Sequence, residues 1–173
     1  FGVRFCVHSP PIYQSCEPIA SGLDRVKLDG MKLPVKRLDP AAILPEYKTP
    51  AAAAFDLAVI ETKTLEPGEI HRFKTGLVFV IPEGHYMLIA SRSSNSIKKG
   101  ISMANGIGII DSDHRGEHDE VSLVIQNITN GPVTIEAGDR VAQAMILPVE
   151  RAVIEEVAET GFADRGNFGS TGR

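Results

Sequence analysis

The chain has 173 residues, of which 43% are hydrophobic and 23% are charged, and this suffices for one globular domain with a hydrophobic core. With 18 Lys and Arg against 22 Asp and Glu, the net charge is −4, which excludes the overall basic field that attracts nucleic acid or an anionic membrane. Since the sequence also shows no membrane span and no signal peptide, we expect a cytoplasmic protein that binds neither nucleic acid nor membrane.

Residues 1–30 differ in character from the rest. They begin with Phe1 rather than Met and show no sustained helical or strand period. Both cysteines, Cys6 and Cys16, lie here; they could pair, but no cysteine remains to brace the body of the chain or bind metal there. Because Met31 opens a strand-like segment, we expect residues 1–30 to be an N-terminal extension or a gene-call artefact, with a functional extension as the alternative.

Seven stretches after Met31 are rich in Val and Ile, and turn-forming residues separate most of them, which predicts an all-β domain over residues 31–150. The predicted strands are 56–61, 70–81, 85–91, 101–104, 121–129, 133–136 and 141–149. One short helix is expected over 93–99, with Ser93 or Ser94 capping its start and Gly100 ending it. Such a series of short strands favours a sandwich or a closed barrel. Residues 151–173 lose strand character and are expected to leave the domain as an arm.

Residues 105–116, with the sequence NGIGIIDSDHRG, carry the most distinctive pattern. Two glycines and an asparagine let the backbone turn tightly against a ligand, and the run then delivers Asp111 and Asp113. On its own this pattern favours an ordinary β-hairpin with Asp and Gly at its tip. Four other short motifs change that interpretation, because all five occur together and in a known order.

The five motifs resemble those of the trimeric dUTPase family. They are AAFDL at 53–57, SRSS at 91–94, the run at 105–116, GDRVAQ at 138–143 and FGSTG at 168–172. The resemblance covers about 31–173 and implies a distorted jelly-roll β-barrel, a C-terminal arm carrying the last motif, and a homotrimer with active sites between subunits.

The resemblance implies hydrolysis of dUTP to dUMP and pyrophosphate with Mg²⁺, which supplies dUMP and keeps uracil out of DNA. Asp111 occupies the position of the family's base, which deprotonates the attacking water. Asp56 matches the carboxylate that holds the metal through water, in keeping with the preference of Mg²⁺ for retaining its hydration. Without the resemblance, Asp56 would be interpreted as a strand residue, and a buried turn role would suit Asp113.

The resemblance also assigns phosphate contacts. Arg92, Ser93 and Ser94 lie where a strand gives way to the predicted helix, so a guanidinium, hydroxyls and helix-end amides can meet an anion there. A simple helix cap is the alternative for the serines. Gln143 matches the family's neutral phosphate contact, or else it is an amide at the edge of the core. The arm completes the set with Arg165, Gly169, Ser170 and Thr171, although a Gly-Ser-Thr end is more often a disordered tail.

Uracil recognition is implied at the same run. Main-chain groups of Gly108 and Ile110 can match the acceptor–donor–acceptor edge of uracil, which cytosine lacks, and Asn105 corresponds to an Asn that some members use for the base. Phe168 matches the aromatic residue that stacks on uracil. His114 stands where most members have a Tyr that packs on the deoxyribose and excludes a 2′-hydroxyl.

Other departures from the family pattern are Ala54 in place of a Gly, a small insertion at 118–120, and a last motif that is about two residues short. Two alternatives stay open. One is a dCTP deaminase of the same fold, against which the IDSD segment argues, and the other is a nucleotide-sensing partner protein.

Overall fold

Antiparallel β-strands make up nearly all of the regular structure. The computed structural model describes residues 30–164, and the strands in that range are numbered β1–β11 in chain order. They are β1 Val35–Arg37, β2 Phe55–Ala58, β3 Lys63–Leu65, β4 Ile70–Lys74, β5 Leu77–Phe79, β6 His85–Ser91, β7 Ile101–Met103, β8 Ile107–Ile110, β9 Ser122–Asn127, β10 Val133–Ile135 and β11 Arg140–Pro148. The predicted all-β class is confirmed.

The strands form four antiparallel sets. The largest has the order β2-β11-β6-β8, and a second has the order β4-β9-β7. Two-stranded pairs, β1-β5 and β10-β3, complete the arrangement. Strict alternation along β9 sends Leu123, Ile125 and Asn127 inward. Leu123 and Ile125 join the core that contains Phe73 and Phe79, and Asn127 donates to the carbonyl of Leu65. The four-stranded sheet carries residues of four of the five sequence motifs and therefore positions the candidate site.

The predicted strand over 70–81 is wrong as a single element. Thr75 and Gly76 separate β4 from β5, because Gly76 adopts a left-handed backbone with φ of 68° and sits so tightly that an added methyl group would lie 2.8 Å from Ala42 Cβ. Thr75 is buried, and its hydroxyl donates to the carbonyl of Val121 at 2.6 Å. This polar corner holds the start of β9 against the turn.

The predicted helix is a single π-helical turn, Asn95–Lys99. Ser94 stands at its N-cap without a side-chain capping hydrogen bond, so the capping prediction is wrong for this residue. Gly100 ends the turn as expected, with φ of 65°. A methyl group at Gly100 would lie only 2.1 Å from Thr129 Cγ2, so glycine is needed there for space as well as for conformation.

Residues 151–164 contain no helix or strand, and all of them are exposed. Val153 and Ile154 are 94% and 97% exposed, and Phe162 is 88% exposed. Apolar side chains presented to this degree are typical of a segment that packs on another surface. Within residues 30–164, no helix is long and apolar enough to cross a membrane.

Candidate functional site

Three charged side chains meet at one end of the four-stranded sheet. The carboxylate of Asp56 on β2 forms two ion pairs, one from Oδ1 to Arg92 Nε and one from Oδ2 to Arg140 Nη1, each at 3.0 Å. The Asp56 side chain is 11% exposed, against 26% for Arg92 and 42% for Arg140. Two cations around one sheltered carboxylate leave this cluster with an excess positive charge that suits a phosphate chain.

The strand register explains why these residues meet. Asp56 pairs directly with Gln143 of β11, and Gln143 pairs with Ala90 of β6, so these side chains form one row on the same face of the sheet. A register shift between Arg140 and Ala142 adds one residue to β11 opposite β2. Because such a bulge changes the in–out alternation, Arg140 reaches the carboxylate instead of following its neighbours inward.

Side-chain amides brace the SRSS segment against β11. Gln143 Nε2 donates to the carbonyl of Ser91 at 3.0 Å, and the buried Asn95 donates from Nδ2 to the carbonyl of Val141 at 2.5 Å. Arg92 adds a third bond, from Nη1 to the carbonyl of Arg140 at 3.0 Å. These long-range bonds hold Arg92 in place and leave the exposed Ser93 beside it. The arrangement of Gln143 agrees with an amide at the core edge, and its phosphate contact stays a prediction.

The run 105–116, for which uracil binding is predicted, contains β8, the outer strand of the same sheet. Gly106, with φ of 72°, turns the chain into β8, which pairs only with β6 among the described residues. One edge of β8 is therefore unpaired in the described part of the chain, and the contact of Gly108 and Ile110 with a planar base stays a prediction. Gly108 packs so closely that a methyl group there would lie 3.2 Å from Ile89 Cβ. Asn105 is exposed at the turn that precedes β8.

Asp111 lies just after β8 and is exposed, and its carbonyl accepts the amide of His114 at 3.2 Å. Asp113 is exposed as well, so the buried turn role suggested for it is wrong. His114 is half-buried, and its Nδ1 is sheltered from solvent without a hydrogen-bond partner in the described part of the chain. A buried ring nitrogen without a partner is uncommon in a folded protein and marks His114 as a position of interest.

Acidic residues fix the loop that follows Asp111. The inserted Glu120 accepts the amide of Gly76 at 2.7 Å, and Asp119 accepts the amide of Gly116 at 2.6 Å. Glu117 pairs with Lys36, which holds the pKa of the Glu117 carboxyl below its usual range. The insertion at 118–120 thus ties the loop to the β4–β5 corner.

Within one chain, the structure does not bring Asp111 to the arginine cluster. Ile110 pairs with Met87 near the start of β6, whereas Arg92 follows Ser91 at its other end. At about 3.3 Å per residue along a strand, Asp111 and Arg92 are separated by roughly 20 Å. The predicted base and the predicted phosphate contacts therefore occupy opposite ends of the sheet.

A family model described as dUTPase matches residues 41–172. The deoxyuridine 5′-triphosphate nucleotidohydrolase of Nautilia profundicola is 43% identical over 145 residues, which cover 83% of this chain and 100% of that protein. The chain belongs to the dUTPase family. The enzyme of the same name from Anaeromyxobacter sp. is 44% identical over 137 residues, covering 78% of this chain and 90% of that one.

Solved dUTPase structures share the fold. A variant of the Staphylococcus bacteriophage 80alpha dUTPase with dUpNHpp matches with a TM-score of 0.73 and 28% identity, covering 82% of this chain and 99% of that chain. A variant of the dUTPase from phage phi11 of S. aureus, described as revealing the coordination of a structural Mg(II) ion, matches with a TM-score of 0.68 and 26% identity, covering 76% of this chain and 100% of that chain. The predicted dUTPase fold is confirmed.

Most predicted site residues can be placed in this dUTPase. Five of them come together at one end of the four-stranded sheet, namely Asp56, Arg92, Ser93, Ser94 and Gln143. A second group lies on or beside β8 and consists of Asn105, Gly108, Ile110, Asp111 and His114. The predicted residues of the C-terminal arm lie outside the described residues; they are Arg165, Phe168, Gly169, Ser170 and Thr171. No role was predicted for Arg140 or Asn95, although Arg140 lies within the GDRVAQ motif at 138–143.

Magnesium is the metal implied by the resemblance. Within residues 30–164, no three His, Cys, Asp or Glu side chains are grouped so that they could hold a metal ion themselves. Asp56 already receives two guanidinium groups, but a carboxylate has further lone pairs that can accept from water. Asp56 therefore fits contact with metal-bound water, and the ion itself fits a site made chiefly by the triphosphate.

Proposed function

We propose that this dUTPase hydrolyses dUTP to dUMP and pyrophosphate, as the names of its relatives indicate for those proteins. The observation that carries the proposal is the pairing of Arg92 and Arg140 around Asp56, in a chain that also places Asp111 beside an open β-strand edge. The arginine pair suits the binding of a polyphosphate. The position of Asp111 suits a proton-accepting carboxylate next to a bound nucleobase.

In this mechanism, Asp111 accepts a proton from the attacking water while the water oxygen bonds to the α-phosphorus. The bond from the α-phosphorus to the bridging oxygen breaks, and pyrophosphate leaves with that oxygen. Arg92, Ser93 and Gln143 hold the phosphates in line for the attack. Mg²⁺, held on the triphosphate and through water on Asp56, would neutralise the phosphate charge.

The assay that tests this function measures pyrophosphate release from dUTP, dCTP and UTP with Mg²⁺. We expect release from dUTP, with dCTP and UTP slower by roughly 10² or more because the wrong base or sugar leaves site groups unpaired or crowded. Ammonia release from dCTP would instead indicate a deaminase. Tight dUTP binding without turnover would indicate the nucleotide-sensing alternative.

We also propose a homotrimer with active sites between subunits. The support is the separation of roughly 20 Å between Asp111 and Arg92, estimated from the strand rise, which is too long for a single substrate phosphate to contact both in one chain. Ile107 and Ile109 on the outer strand are 50% and 59% exposed, and the segment 151–164 presents further apolar side chains, as expected for surfaces that are covered on assembly. The cytoplasmic location stays a prediction.

His114 is proposed to pack against the deoxyribose. Replacing it with Tyr is expected to raise the ratio of kcat/KM for dUTP over UTP, by about 10-fold, because a larger ring leaves less room for a 2′-hydroxyl. The ratio should be measured for both proteins at the same fixed pH. His118→Tyr, in the exposed part of the same loop, serves as the control. A ratio that stays the same or falls in His114→Tyr would show that His114 does not contact the sugar.

A further inference from the structure

Arg140 lies in the GDRVAQ motif at 138–143, in which the family resemblance implies a role for Gln143 but none for Arg140. We propose that Arg140 is a positioning residue for the phosphate site, acting through the Asp56 carboxylate on the guanidinium of Arg92. This inference rests on the proposed dUTP hydrolysis, since it concerns how the triphosphate is held.

Arg140 is connected to Arg92 in two ways, through the Asp56 carboxylate and through its own main-chain carbonyl. Its Nη1 donates to Oδ2 of Asp56 at 3.0 Å, while Oδ1 of the same carboxylate forms an ion pair with Arg92 Nε at 3.0 Å. Its main-chain carbonyl accepts from Arg92 Nη1, also at 3.0 Å. Arg92 is thus bound through Nε and Nη1, and its remaining N–H groups stay available to a phosphate oxygen.

Burial makes the carboxylate sensitive to its partners. The Asp56 side chain is 11% exposed, so its charge is only weakly solvated and its orientation depends on the groups that bond to it. With Arg140 truncated, Oδ2 loses its guanidinium partner, and the carboxylate can rotate toward Arg92 or toward water. Either movement shifts the Arg92 guanidinium, because the two side chains are joined through Nε.

Arg140 also suits this role better than a direct phosphate contact. The bulge next to it directs the side chain across β2 to Asp56, and the bond found there is a charge-assisted hydrogen bond of good length. Its planar guanidinium fixes the direction of that bond, whereas a lysine would supply only a point charge. The proposal therefore predicts that geometry matters at this position in addition to charge.

The test is a double-mutant cycle in the full chain that combines Arg140→Met and Arg140→Lys with Asp56→Asn. It measures the Kd for dUpNHpp with Mg²⁺, the Kd for uncharged deoxyuridine, and kcat and KM for dUTP. Arg140→Met should weaken dUpNHpp binding by about 10-fold and Arg140→Lys by less, with deoxyuridine binding unchanged. In the Asp56→Asn background, the same Arg140→Met change should have less than about a twofold effect, because the carboxylate through which Arg140 acts is gone.

Arg72→Met is the matched control, since Arg72 is an exposed arginine on β4, in a different sheet, and it should leave all of these constants unchanged. An equal loss of dUpNHpp binding with and without the Asp56 carboxylate would overturn the positioning role, as would a parallel loss of deoxyuridine binding, which would indicate general damage to the fold. In both cases dUTP hydrolysis by the unaltered enzyme would stand. An unaltered chain that neither binds dUpNHpp nor hydrolyses dUTP would overturn the proposed function along with this inference.

Discussion

Replacing Asp111 by Asn is expected to lower kcat for dUTP by about 10³-fold, the usual contribution of a positioned general base. The amide keeps the size of the carboxylate but cannot take the proton from water. Because the Asp111 side chain is exposed and is not packed in the core, the fold and the assembly should survive the change. The Kd for dUpNHpp should therefore stay within about threefold of the unaltered value, since substrate positioning does not need the base.

Asp113→Asn provides the matched control, because Asp113 is also exposed and lies only two residues further along the loop. It should keep most of the turnover. Single-turnover measurements separate the chemical step from product release and so locate the loss in Asp111→Asn. Full activity in the Asp111→Asn protein would rule out Asp111 as the base, and loss of activity in both variants would point to a loop that tolerates no change.

Mixing two inactive variants is expected to restore activity. If Asp111 from one subunit works with Arg92 from another, then chains carrying Asp111→Asn and chains carrying Arg92→Met, unfolded and refolded together in equal amounts, form some sites with both residues intact. A working site needs an intact Asp111 from one subunit and an intact Arg92 from another. In a random equal mixture each condition is met in about half of the cases, so about one quarter of the unaltered activity should return. Each variant refolded alone should remain inactive.

A second mixture makes the comparison quantitative. Unaltered chains refolded with an equal amount of chains that carry both Asp111→Asn and Arg92→Met should also retain about one quarter of full activity if sites are shared, but about one half if each chain holds its own site. No recovery in the first mixture together with one half in the second would refute shared sites. Size-exclusion chromatography with light scattering would confirm that the mixtures contain the same oligomer.

Much of the strand pattern could be predicted because strands and turns are specified by neighbouring residues. The predicted strand at 85–91 matches β6, and those at 133–136 and 141–149 match β10 and β11 to within a residue at each end. The break at Gly76 was missed, since one glycine within an apolar run does not reveal that its backbone is left-handed or that Ala42 presses against it. A short helix was predicted at 93–99, but its π-helical form was not, because the hydrogen bond that holds Asn95 comes from the distant strand β11.

The same distinction applies to the site. Motif order was enough to predict Asp56, Arg92 and Gln143 as site residues, and the strand register brings them together. Arg140 could not be assigned from its surroundings, because Asp56 is 84 residues away in the chain and the Arg92 that bonds its carbonyl is 48 residues away. Contacts at such separations depend on the sheet order, which no local pattern in this sequence specifies.

The distance between the two ends of β6 also has a genetic consequence. For an enzyme whose site lies within one chain, two different loss-of-function alleles of its gene do not rescue each other. With the proposed sites between subunits, a lesion at Asp111 and a lesion at Arg92 would damage opposite halves of one site, so a cell that carries one allele of each kind would regain function through mixed oligomers. Alleles damaged at the same end of the sheet would fail to complement, and a complementation map of this gene would divide into two groups.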